Sequence, residues 1–399
     1  MSMRITENMK FDKAVSSLGN VQGQYNTVLE QMASQKRINR LSDDPLGMTM
    51  LLGYRKGQAA IDQYQKNIDH SNVWLSMTES KLSSAGDLLT NAKELAIGQA
   101  TASASPETRR IAAGNVGQLK EEMLSLANST YGDRYLFSGS RMGAAPFAAS
   151  SQPAGIDAPL LAFANIFDGS AVASGAYTAG TNKTYVVKII DGGSLADVTY
   201  KVSADGGKTW SDAKTDLDLG TTNLPDGISL TFTDSGAKHL TAGDIFSVHA
   251  YATGNYKGDS ADLTAEVGQD ATINYNVTGA EAFSGQSGGV DIFKTLDDLK
   301  AALLGNDPAG ILAQVDKLTA AFEQINLSVA KVGNLMNRTE IAKNNLNNFS
   351  QQLTDLTSRT EDVDVAGLAT SLSMKQLALQ ASYATISKIG NNTILDFIK

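Results

Sequence analysis

Between Ile61 and Ala96 the apolar and small side chains recur in alternating steps of three and four. The series is Ile61, Tyr64, Ile68, Ser71, Leu75, Thr78, Leu82, Ala85, Leu89, Ala92 and Ala96. This is the seam of a coiled coil, a stripe that winds along one face of a long helix. No other feature constrains the fold as tightly. A stripe two residues wide cannot stay in water, so a partner helix of similar length must exist. At 1.5 Å per residue, about 55 helical residues make a rod of roughly 80 Å.

Proline placement shows where such helices begin. Three of the seven prolines follow a capping residue: Pro45 after Asp44, Pro106 after Ser105 and Pro308 after Asp307. Asp or Ser before a proline at the first helical position is a start signal, because that position needs no N–H donor. The spacing predicts a helix from Pro45 to about Thr101. A second, from Pro106 to about Tyr131, carries Ala112, Val116, Leu119, Met123, Leu126 and Thr130. A third, from Pro308 to about Arg359, carries Ile311, Val315, Leu318, Phe322, Ile325, Val329, Val332, Met336 and Thr339, continuing through Leu346, Phe349, Leu353 and Leu356. Residues 45–140 and 291–360 are expected to form one coiled-coil-like rod domain, with a further helix over Asp291–Leu303.

The segment 141–290 differs in composition. It holds the other four prolines, 20 of the 36 glycines, and 16 acidic against 8 basic side chains. Thr184–Ile190, Val198–Val202, Ile228–Phe232 and Asp244–Ala250 read as strands, separated by Gly and Asp turns such as Asp205-Gly206. Arg134–Gly139 reads as a boundary strand. The fold class is therefore mostly α with a β insert, the insert being a small sandwich or barrel.

Both ends of the chain are helical. In 1–44 a seam runs through Ala14, Leu18, Val21, Tyr25, Val28 and Met32. In 361–399 apolar residues go nearly all round, among them Leu368, Leu372, Met374, Leu377, Leu379, Tyr383, Ile386 and Ile389. A helix apolar on most faces demands burial on several sides, and two such helices are too small a core to fold alone. The ends are expected to be loosely ordered in a monomer and buried in an assembly. The assembly candidates are Leu18, Val21, Tyr25, Val28 and Met32 with Leu368, Leu372, Leu379, Tyr383 and Ile386.

Composition removes several functions. No cysteine means no disulfide frame, thiolate zinc site or cysteine nucleophile. A net charge of −9 is the wrong sign for nucleic acid, and no stretch is long enough to span a bilayer. Residues 1–7 lack the apolar core of a cleaved secretory signal. Among three histidines, His70 reads as a surface residue, and His239 with His249 as ordinary strand residues. Gly206-Gly207-Lys208-Thr209 lacks the first glycine of a phosphate loop, Val202 standing there. Ser42-Asp43-Asp44 and Glu361-Asp362-Val363-Asp364 read as carboxylates answering helix dipoles at helix starts. Lys36, Arg37 and Arg40 form a basic patch that suits a subunit contact. No catalytic constellation, cofactor site or metal site is readable, and no enzyme is expected.

Two runs carry a resemblance. Met3-Arg4-Ile5-Thr6-Glu7-Asn8-Met9, and Lys36 through Pro45 with Arg37, Ile38, Asn39, Ser42, Asp43, Asp44 and Pro45 as its motif, resemble the N-terminal signature of flagellins and their hook-associated relatives. Tyr131–Gly139 and the ending Leu379–Ala384 through Ile394–Ile398 are similar to the hook-filament junction branch of that family. Two positions depart from it: Leu41 where proline is common, and Gln35 where glycine is common. The resemblance implies a structural adaptor at the hook-filament junction of the bacterial flagellum, with a filament subunit as the alternative. Its terminal helices would form an inner tube, its rod an outer tube, and its insert would face solvent. Its partners would be hook-associated protein 1, flagellin, further copies of itself in a ring, an export chaperone and the type III export apparatus. It would act outside the cell without a cleaved signal, and bind neither nucleic acid nor membrane.

Overall fold

The three capping residues before proline are used as the sequence suggests, Asp44, Ser105 and Asp307 each accepting from a main-chain N–H of the helix that follows. In the computed structural model, which describes residues 7–101, 103–195, 197–215, 217, 220–233, 239–286 and 288–395, seven helices form: α1 (Glu7–Ser34), α2 (Pro45–Gln99), α3 (Pro106–Ala127), α4 (Gly279–Ala282), α5 (Ile292–Leu304), α6 (Pro308–Glu361) and α7 (Val365–Leu395). Ser105 caps α3 by accepting from Thr108 N, and Asp291 caps α5 by accepting from Lys294 N. Two compact units result, residues 1–65 with 343–399, and residues 66–342.

Unit 66–342 has two apolar cores. The first is helical: Leu75, Leu82, Ala85, Leu89, Ala92 and Ala96 of α2 meet Ile311, Leu318, Ile325 and Val332 of α6, with α3 and α5 closing the other sides. Trp74 is 1% exposed and stands edge-on to Tyr131 and Tyr275, at 6.3 and 6.1 Å between ring centres. His70 is exposed, with its ring beside the same two tyrosines. Buried Arg109 donates to Gln99 O and Thr101 O, placing a cation at the negative end of α2.

The second core belongs to the β-rich segment. Its strands are β1 (Thr130–Tyr131), β2 (Arg134–Tyr135), β3 (Phe147–Gln152), β4 (Gly155–Ile156), β5 (Leu160–Leu161), β6 (Ser170–Gly175), β7 (Lys183–Asp191), β8 (Thr199–Ser203), β9 (Thr221–Leu224), β10 (Ile228–Thr233), β11 (Ile245–Tyr251), β12 (Gly254–Tyr256), β13 (Thr264–Gly268) and β14 (Ala271–Asn274). One sheet runs β4-β11-β7-β8, with β5 also on β11, and a second runs β6-β10-β9. Tyr185, Val187, Tyr200, Phe246 and Val248 from the first meet Leu224, Ile228, Leu230 and Phe232 from the second, which makes a small sandwich. The fold is mostly α with this β insert.

Three local readings change. Arg134–Gly139 is not a strand throughout: pairing stops at Tyr135, and Leu136 and Phe137 turn inward to the helical core. In unit 1–65 with 343–399, Phe349 and Leu356 are 60% and 41% exposed, so they leave the seam. The 3-4 phase set by Leu346 continues instead through Ser350, Leu353 and Thr357, all half-buried. Phe349 and Leu356 fall one position early, about 100° round the helix. Finally, Phe147, Tyr256, Val277 and Phe283, from the Gly-rich segment, pack in the helical core and not in the sandwich.

A polar network lies beside the boundary of the two cores. Asn182 donates to Tyr256 O and Gly258 O and accepts from Ala252 N. His249 donates from Nε2 to Lys257 O, which leaves Nδ1 to accept from Thr184 Oγ1 at 3.1 Å. Burial, reinforced by the Arg141 charge, lowers the His249 pKa to about 4, so the ring is neutral near pH 7.

Candidate assembly site

The two terminal helices α1 and α7 pack along each other in unit 1–65 with 343–399. On α1 Ala14, Leu18, Val21, Tyr25 and Val28 are half-buried in steps of 4-3-4-3. On α7 Leu368 is buried, and Leu372, Lys375, Leu379, Ser382 and Ile386 follow half-buried in steps of 4-3-4-3-4. Lys375 sits within that row and donates to Gln24 Oε1 across the pair at 2.7 Å. Of the candidate residues, eight therefore line the pair, whereas Met32 (36%) and Tyr383 (50%) are exposed.

The pair covers only one face of each helix. Met9, Phe11, Val15 and Leu29 on α1, and Val365, Met374 and Leu377 on α7, are exposed at between 39% and 68%. Residues 3–6 and 396–398 of the resembling runs lie outside the described residues, as do the side chains of 389–395.

Residues 35–44 and 361–364 join the helix pair to α2 and α6, and they are pinned to each other. Gln35 ends α1 with φ 57°, a left-handed conformation that glycine would adopt without strain. Arg37 N donates to Glu361 O at 2.6 Å and Val363 N to Gln35 O at 3.2 Å, a two-rung antiparallel bridge. Ile38, the next residue, is 2% exposed. Asn39 N and Arg40 N both donate to Asp43 Oδ2, which fixes the turn. Asp44 caps α2 by accepting from Gly47 N at 2.9 Å, with exposed Pro45 at the first helical position. That bond, together with the Arg37 guanidinium, holds the Asp44 carboxyl below its ordinary pKa, against the partial burial that raises it. Ser42 and Leu41 are exposed.

The basic residues of this stretch are engaged within the chain. Arg37 donates to Thr360 O at 2.8 Å and pairs with Asp44 at 3.3 Å. Arg40 pairs with Glu30 at 3.0 Å. Lys36 and Arg55 converge on Glu361 at 2.6 and 2.7 Å. Asp364 caps α7 by accepting from Ala366 N, but Glu361 closes α6 and does not start α7. A carboxylate is unfavourable at a helix C-terminus. Burial also raises the Glu361 pKa, and the two cations outweigh it, leaving the carboxyl below its ordinary value. Periodicity cannot find the clasp, because its partners share none; the signal the sequence holds is charge, the three cations Lys36, Arg37 and Arg40 and an acidic cluster near 361.

None of these groups forms a nucleophile–base pair. Among the described residues no cluster of His, Asp or Glu could hold a metal ion, and no helix is long and apolar enough to cross a membrane. The arrangement can hold two helices together and present their outer faces to another surface.

Comparisons with known proteins match both ends of the chain to one family. The bacterial flagellin N-terminal helical region matches residues 5–142, and the bacterial flagellin C-terminal helical region matches 315–398. Flagellar hook-associated protein 3 of Salmonella typhimurium is 30% identical over 146 residues, 36% of this chain and 46% of that protein. A flagellin of Clostridium tyrobutyricum is 23% identical over 410 aligned residues, 98% of this chain and 100% of that protein. The chain thus spans about half the length of the hook-associated relatives it matches. A solved flagellar hook-associated protein from Vibrio parahaemolyticus shares the fold at a TM-score of 0.51 and 14% identity, covering 80% of this chain and 100% of that one.

Proposed function

Because the chain belongs to the flagellin-like family of structural flagellar proteins, we propose that it is the adaptor of the hook-filament junction. In this reading it assembles as a ring between hook-associated protein 1 and flagellin. The observation that carries the assembly step is the uncovered apolar face of α1 and α7, with Met374 and Leu377 65% and 68% exposed on helices already paired on their other side. Burying one such side chain is worth roughly 1.5–3 kcal/mol, so a handful offsets the cost of docking. The ring is a mechanical coupler: end-on contacts match one subunit lattice to another, and no chemistry is required. The chain reaches this place through the flagellum's own export channel, unfolded and escorted by a chaperone, and works outside the cell.

Similarity to hook-associated protein 3 favours the junction over the filament, as do Arg4–Met9 and Leu395–Ile398. The alternative, a filament subunit, draws on the flagellin similarity along nearly the whole chain. Seeded polymerisation separates them. Purified protein is added to short flagellar seeds and viewed by negative-stain electron microscopy. A thin cap that stops growing and then accepts flagellin supports the adaptor; long growth refutes it and establishes a filament subunit.

A further inference from the structure

The strand β6 ends its sheet: among the described residues it hydrogen-bonds along one side to β10, from Ser170 opposite Thr233 to Gly175 opposite Ile228, without a bulge. Edge strands are ordinarily protected by lysine, proline, a bulge or a covering segment, because their free N–H and C=O groups are a template for another strand. Lysine, proline and a bulge are absent from Ser170-Ala171-Val172-Ala173-Ser174-Gly175, while β4 of the facing sheet lies near the strand. The insert carries twice as many acidic as basic residues, yet from Ala158 to Gly175 the sole charged side chain is Asp168. The loop that feeds the strand bears Phe163, fully exposed, and Ile166, 57% exposed. Along this stretch a like-charged copy meets a single carboxylate.

The sequence of the edge identifies its occupant. Ser-Ala-Val-Ala-Ser reads the same in both directions about Val172. Laid antiparallel against itself, the strand places Val172 opposite Val172, Ala171 opposite Ala173, and Ser170 opposite Ser174. Ala171 and Ala173 already face the sandwich core, and Val172 is 55% exposed on the other face. Such a pair would extend the three-stranded sheet to six strands about a two-fold axis, the isologous contact that is the commonest in homodimers. We propose that two copies of this chain pair through β6 in that register.

The contact is small, well under the ~800 Å² per partner of a stable complex, so the dimer forms only at high protein concentration. The pairing does not depend on the flagellar reading. One consequence does: members of a ring share one direction, whereas a two-fold pair does not, so pairing holds chains back from assembly.

The chain has no cysteine, which makes register testable in the full-length protein. In an antiparallel pair opposed Cα atoms lie about 4.5–5.5 Å apart, within reach of a disulfide. Val172→Cys is therefore expected to oxidise to a covalent dimer about tenfold faster or more than Ser170→Cys, whose copies lie roughly 13 Å apart. A mixture of Ser170→Cys and Ser174→Cys chains should cross-link to each other. Sedimentation velocity of the unmodified chain should show a concentration-dependent dimer that Val172→Lys removes, with unchanged circular dichroism. A monomer at every concentration up to several hundred micromolar, or equal oxidation of Val172→Cys and Ser170→Cys, overturns the proposal.

Discussion

Gly47 occupies the third helical position of α2, where replacing it with alanine sets two forces against each other. Helix propensity favours alanine by roughly 0.8–1 kcal/mol. Packing opposes it: a Cβ there would lie 2.6 Å from Ile38 Cδ1 and 2.6 Å from Asp44 Oδ2. Ile38 is 2% exposed, so its methyl has no route into water. If Asp44 withdraws instead, it gives up the cap to Gly47 N and its pairing with Arg37. Overpacking costs about 1–3 kcal/mol, and a lost cap about 1 kcal/mol. After the propensity gain, Gly47→Ala should destabilise the clasp by about 1–3 kcal/mol, a fall in local protection of roughly 5- to 150-fold. Gly53 lies on the same helix with nothing within 4 Å of its would-be Cβ. Gly53→Ala should therefore gain up to about 1 kcal/mol. Hydrogen exchange by mass spectrometry on peptides from 36–60 reads both variants in one experiment. If Gly47→Ala is protected as well as the parent chain, the close approach of Ile38 and Asp44 is not what positions this helix start.

Four further outcomes are expected. His249 has a folded-state pKa of about 4 against 6.5 when unfolded, so the unfolded chain takes the proton first; the stability tied to its neutral ring is whole above about pH 6.5 and drains away towards pH 4, by about 3 kcal/mol at most. Urea midpoints of the insert followed by Trp210 fluorescence should show that loss, and His249→Gln should flatten it; an unchanged pH profile contradicts the buried neutral ring. Gln35→Gly should stabilise the end of α1 by about 1 kcal/mol by removing left-handed strain, measured by urea titration with circular dichroism; a loss of stability would mean that the side chain matters more than the backbone. Leu372→Asp combined with Leu379→Asp should leave unit 66–342 folded yet stop incorporation into flagella, and normal incorporation would sink the terminal-helix account. Replacing 153–253 with Asn-Gly should turn β3 and β12 into a hairpin and keep full helicity, because Gln152 already pairs with Gly254. Removing all of 141–290 should instead cost helicity, since it takes away Phe147, Tyr256 and Phe283; equal helicity in the two deletions would show that those rings are dispensable.

What could be read in the chain depended on how far the determining interactions reach. The long helices were legible because a 3-4 seam and an Asp-Pro or Ser-Pro start are local and repeat many times. The strands β7, β8, β10 and β11 were legible from runs of Val, Ile, Tyr and Phe. β6, β9 and β14 were not, because Ser-Ala-Val-Ala-Ser-Gly holds a single β-branched residue and Thr-Thr-Asn-Leu and Ala-Thr-Ile-Asn are only four residues long. Phe349 and Leu356 misled for the opposite reason: apolar residues near the right spacing read as seam, although the phase had been set by Leu346. At the candidate site, the row on α1 could be read from period as far as Val28; the row on α7 could not, because apolar residues surround that helix, Lys375 and Ser382 stand in the row and Tyr383 is exposed. The clasp could not, for its two rungs join Arg37 N to Glu361 O and Val363 N to Gln35 O, main-chain atoms that every residue possesses, across more than 300 positions.

The pairing of α1 with α7 also imposes an order in time. The row from Ala14 to Val28 meets its partner only when the last helix has arrived. If the proposed export runs from the N-terminus, α1 would emerge single, its apolar row without α7 while the rest of the chain passes. In that case the pair closes only when the final helix arrives, and until then the first would be available to whatever surface waits at the exit.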